Sequence, residues 1–133
     1  MNRIQAQKIV ERIQNIPLYL HAYAFHLNMR MEKILPEGLL DIASEQKLKG
    51  VKVHVLDGES QSLSCADDAR LQKFGEKAHS LGLDVHIETS ASDAETIDAA
   101  VAIALKSDAS SVRFYPRYEG HLAEVLAQVK QDT

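Results

Sequence analysis

The sequence predicts an α/β fold of four βα units behind one extra helix. Three observations predict it. Short runs rich in β-branched and aromatic residues alternate with longer runs of helical apolar spacing. Strand starts near residues 51, 83 and 110 repeat every 27–32 residues. The strand runs also alternate apolar with polar residues instead of reading as continuous apolar blocks.

The opening segment, residues 1–16, is amphipathic, with Ile9, Ile13 and Ile16 on one helical stripe. It has neither a continuous apolar core nor a small-residue cleavage site, so it does not read as a secretory signal. Strands are predicted over 18–26, 51–57, 83–90 and 110–116, and helices over 36–48, 67–81, 93–107 and 118–131. Apolar residues recur in these helices at Leu39, Ile42 and Ala43; at Leu71, Phe74, Ala78 and Leu81; at Ile97, Val101 and Ala104; and at Leu122, Val125, Leu126 and Val129. Pro36 suits a first helical turn, Ser64 with Asp67 and Ser92 with Glu95 have capping-box spacing, and Gly50 and Gly82 stand where helices should stop. No linker interrupts the chain, so 1–133 reads as a single domain in which 17–133 forms the four βα units.

The strand faces choose between architectures. One face collects Leu18, Leu20, Ala22, Val51, Val53, Val55, Val85, Ile87, Val112 and Phe114, which belong against helices. The other collects His21, Tyr23, Phe25, Lys52, His54, Leu56, Asp84, His86, Glu88, Arg113 and Tyr115. A doubly wound sheet would bury those polar groups under helices, whereas a barrel interior near its mouth accommodates them. The expected architecture is therefore a parallel (βα)4 half of a TIM-type barrel with an extra N-terminal helix.

Composition narrows the function. Of 133 residues, 45% are hydrophobic and 26% charged, a globular balance, and one cysteine excludes an internal disulfide or a cysteine zinc cluster. No apolar stretch reaches bilayer-spanning length, and the cytoplasm is the expected compartment. The formal charge of −4 divides into eight basic and seven acidic residues before Asp67 and seven and twelve from there on. That gives no basic footprint for nucleic acid. Dinucleotide, P-loop and nucleophile-elbow motifs do not occur.

Barrel chemistry collects at the C-terminal ends of strands. Glu88 is the expected base and His26 the group that orients a substrate hydroxyl. Tyr23, Asp57, Arg113 and Tyr115 are the expected substrate contacts, with Arg113 suited to a phosphate or carboxylate. Against this stands the simpler reading that Glu88 and Arg113 merely pair with each other. His21, His54 and His86 share the inward face; a three-histidine metal site would need them at equal depth, and a hydrogen-bonded layer is the expectation. Cys65 has no neighbouring His or Cys and reads as an inert thiol. The loop holding Met29, Arg30, Met31 and Lys33 is placed to cover a substrate or to do nothing.

The phrases LHAYAFHLN, GLLDIASEQKLKGVKVHVLDG and LGLDVHIETSASDAETIDAAVAIALKSDASSVRF resemble the N-terminal half of the sugar phosphate isomerase/epimerase family, the xylose isomerase-like barrels. The resemblance covers residues 17–131. It implies proton transfer on a sugar or sugar phosphate, assisted by a divalent metal that carboxylates and a histidine of the C-terminal half would hold. Those strands lie outside these 133 residues, so the resemblance implies a half that a longer chain or a second copy completes. The alternative is a non-catalytic α/β module whose open sheet binds another chain. Both readings expect a homo-oligomer or an equivalent partner surface, and neither calls for nucleic acid or a membrane.

Overall fold

The computed structural model describes residues 2–55, 62–90 and 93–115, together with residues 123 and 127. Its elements run α1 (Arg3–Gln14), β1 (Tyr19–His21), α2 (His26–Arg30), α3 (Pro36–Glu45), β2 (Gly50–His54), α4 (Asp68–Ser80), β3 (Asp84–Thr89), α5 (Ala94–Lys106) and β4 (Ser111–Phe114). The four strands form one parallel sheet in the order β1-β2-β3-β4.

The alternation read from the sequence is what builds the core. Val51, Val53, Val55, Val85 and Ile87 are buried on one sheet face, against Leu39, Leu40 and Ala43 of α3, Leu71, Phe74 and Ala78 of α4, and Ala100 and Ala104 of α5. The opposite face holds the half-buried Lys52, His54, Asp84 and His86 and the exposed Ser111 and Arg113. Gly75 lets α4 lie directly on the end of α5, because a Cβ there would stand within bonding range of the Ser107 carbonyl.

Several boundaries differ from expectation. Pro36 does occupy the first turn of α3. The caps of α4 and α5 are Asp67 and Asp93, whose carboxylates accept from the backbone N–H of Arg70 and Thr96, so the preceding serines are not the caps. Ser62 caps the 3-10 turn Leu63–Cys65 instead. Gly82, at φ +67°, ends α4 as expected, but Gly50 is the first residue of β2 and α3 stops at Glu45. On α5 the buried stripe is Ile97, Ala100, Ile103 and Ala104, while Val101 is exposed.

The larger correction concerns the first strand. β1 ends at His21, and Ala22–Phe25 turns into a 3-10 helix that leads straight into α2. The turn forms because the His21 side chain accepts the Tyr23 backbone N–H, an alternative to the strand ladder. Tyr23 and Phe25 therefore leave the inward face: Tyr23 is exposed and Phe25 packs partly against the core. Leu18, expected against helices, is 60% exposed. Leu56 and Asp57 lie outside the described residues, and of the expected helix 118–131 only Ala123 and Ala127 are described, both helical.

Candidate functional site

Ligands of parallel sheets gather beyond the carboxyl ends of the strands, so the polar face divides by depth. At the N-terminal ends Asp84 is held by three donors. It accepts from the Tyr19 hydroxyl at 2.8 Å, from His86 Nε2 at 2.9 Å and from the Ser110 hydroxyl. Burial pushes the Asp84 carboxyl up, but hydrogen bonds from Ser110, Tyr19 and His86 outweigh it and hold the group below the usual carboxylate value. The same bond, with burial and the Asp84 charge, pushes the Tyr19 phenol up. His86 also packs on the Tyr19 ring, centroids 4.8 Å apart. This cluster ties β1 and β3 to the residue that leads into β4.

At the C-terminal ends the position is reversed. Glu88, the fifth residue of β3, is 1% exposed. Its Oε1 accepts from Arg113 at 3.3 Å, the pairing that adjacent strands allow because Glu88 and Arg113 are register partners. Its Oε2 lies 2.7 Å from His21 Nε2, but off the direction of a hydrogen bond, and has no hydrogen-bond partner. A buried acceptor left without a donor costs about 1–3 kcal/mol. His21 and Arg113 keep 38% and 53% of their side chains exposed, so the buried carboxylate is flanked by two side chains that reach solvent.

The other expected site residues divide. Tyr115 meets Arg113, whose guanidinium carbon stands 4.6 Å from the ring centroid. Tyr23 and His26 stack on each other, centroids 4.8 Å apart and planes 15° from parallel, and His26 Nδ1 donates to the Tyr23 carbonyl at 3.0 Å. They sit at the outlet of β1 as a unit of their own. Asp57 lies outside the described residues. The three inward histidines do not converge: His21 and His86 share a register level through Lys52, while His54 is level with Glu88. Among the described residues no three His, Cys, Asp or Glu side chains group so as to hold a metal ion. Among the described residues Glu88 and His21 are too few to hold the divalent ion that the resemblance implies.

The reading from sequence overlooked His21 as a partner of Glu88. Its signal was the shared inward parity, hidden because β2 separates the two strands.

No protein-family description and no solved structure matches the chain. Over 127 residues, 96% of its length, it is 65% identical to a protein of Escherichia coli strain K12 named Uncharacterized protein YihM. Those residues make up 39% of that relative, so the chain spans about two-fifths of its length. No helix among the described residues is long and apolar enough to cross a membrane.

Proposed function

We propose that this chain is the first half of a sugar isomerase/epimerase-like barrel and that Glu88 is its proton acceptor. One observation carries the reading: a fully buried carboxylate at the C-terminal end of a parallel strand keeps one oxygen unsatisfied beside two exposed basic side chains. In this reading Oε2 takes a proton from the carbon beside a sugar carbonyl. The C–H electron pair becomes the double bond of an enediolate, and the charge moves to the carbonyl oxygen. Return of the proton to the neighbouring carbon, with the adjacent hydroxyl proton passing to the former carbonyl oxygen, isomerises; protonation of the original carbon from water on the opposite face, with Glu88 giving its proton back to water, epimerises. Arg113, braced on Tyr115, faces a phosphate or carboxylate of the substrate. The stacked Tyr23 and His26 offer an aromatic wall at the rim, and His26 Nε2 is the ring atom left to orient a hydroxyl. The relative's greater length supports the half-barrel part of the reading, since it leaves room for further βα units.

The test is solvent exchange. The 133-residue chain and a chimera carrying the remaining part of the Escherichia coli relative are incubated in D2O with a panel of ketoses, aldoses and their phosphates. NMR reads deuterium at the carbon next to the carbonyl. Exchange by the chimera alone, lost in Glu88→Gln, is the expected result. A silent chimera, or exchange that survives Glu88→Gln, overturns the proposal.

A further inference from the structure

We infer that His21 and Glu88 act together as a grip for one hydroxyl group, and that the molecule they hold is a hydroxylated anion whose charge meets Arg113. The inference rests on reading Glu88 as the centre of the site, but it concerns binding and stands whether or not proton transfer follows.

The two atoms have complementary needs. His21 Nδ1 accepts the Tyr23 backbone N–H at 3.1 Å, so the neutral ring carries its proton on Nε2, beside the carboxylate but not aimed at it. Glu88 Oε2 lies 2.7 Å away and lacks a donor. Nε2–H is thus a donor without a well-directed acceptor, and Oε2 is a buried acceptor without a donor. A hydroxyl seated beside both atoms answers both, because it accepts from Nε2–H and donates to Oε2. A carbonyl oxygen would serve His21 and leave Oε2 open. An ammonium group would serve Oε2 but bring a third cation beside Arg113 and Lys52, which share this face.

Arg113 supplies the second point of recognition. A guanidinium has five N–H donors, and the contact with Glu88 uses Nη1 at 3.3 Å while more than half of the side chain remains exposed. The guanidinium carbon stands 4.6 Å from the Tyr115 ring centroid. Among the described residues Asp84, on this face, is engaged by Tyr19, His86 and Ser110, and Glu88 takes one Arg113 donor, so the other Arg113 donors stand open to a ligand anion. A carboxylate and a phosphate share this chemistry.

Imidazole NMR of the 133-residue chain tests the inference. The probes are glycerate and glycerol phosphate, which carry both groups; glycerol, with hydroxyls alone; and acetate and methyl phosphate, with charge alone. The expected result is a saturable shift of the His21 ring signals with glycerate, glycerol phosphate or both, at affinities about tenfold or more above every single-feature probe. The better of the two names the anion. His21→Phe, followed through the Tyr115 ring signals beside Arg113, and Glu88→Met should each weaken that binding about tenfold or more, with the Tyr19 and His86 signals unchanged as the check on folding. Equal binding of acetate or methyl phosphate, no saturable shift with any probe, or undiminished binding in whichever variant folds would overturn it. A failed exchange assay with an intact titration would sink the proton-transfer proposal alone, and the converse would sink this one alone.

Discussion

The Tyr19 hydroxyl reaches Asp84 at 2.8 Å across an intervening strand, because the residue between them in register is Gly50. A Cβ at that position would stand 2.9 Å from the Tyr19 ring and within bonding range of the Asp84 carbonyl. Gly50→Ala should therefore force β1 or β3 to move. The expected cost is about 1–3 kcal/mol, read as a lower urea midpoint at unchanged slope. An unchanged midpoint would show that the close crossing is not needed.

The same hydrogen bond bounds stability at both ends of the pH scale. Asp84 is held below the usual carboxylate value, so its contribution is present above about pH 4 and is lost as pH falls through the lowered value. Tyr19 is raised, so its contribution is present below about pH 10 and is lost as pH rises through the raised value. Tyr19→Phe should cost about 1 kcal/mol at neutral pH, since the pair is partly open to water. It should also abolish the alkaline loss and shrink the acid one. Urea unfolding across pH reads both limbs, and an unchanged alkaline limb would place the loss elsewhere.

The sheet order and the pairing of Glu88 with Arg113 were legible in the sequence, because adjacent strands align residues of equal parity. Two features were not. The break in β1 depends on a local bond from the Tyr23 N–H to the His21 ring, which alternation through Tyr23 and Phe25 disguises as more strand. Contacts between β1 and β3 depend on what β2 leaves open, a property of three strands at once. Tyr19 needs a glycine in the middle, and His21, level with His86, reaches two residues further along β3 to Glu88.

Glu88 should be a residue that limits stability. Its removal strands no buried charge, because His21 and Arg113 both reach water. Glu88→Met is expected to match the parent chain or exceed it by about 1–3 kcal/mol in chemical denaturation. A loss of similar size would mean that the carboxylate holds the sheet together.

Exposed apolar residues also gather away from the sheet face. Phe25 is partly packed, whereas Ile9, Ile13 and Ile16 at α1 and the following Leu18 are 45%, 60%, 54% and 60% exposed. α1 buries none of its residues, and that stripe leads directly to the free edge of β1. We expect the 133-residue chain to self-associate through this surface, with sedimentation showing a mass that rises with concentration. Ile13→Glu should restore the monomer. Persistent association in that variant, or a parent chain that stays monomeric at high concentration, would contradict it.

The central claim is that this sheet is half of a closed barrel with Glu88 at its mouth. A crystal structure of the chain extended to the length of its Escherichia coli relative tests it most directly. The account predicts eight parallel strands, with the outer edge of β1 paired to the last of them and Glu88 Oε2 facing the opening between the strand ends. A sheet that remains open, or a helix lying over Glu88 and Arg113, would contradict it.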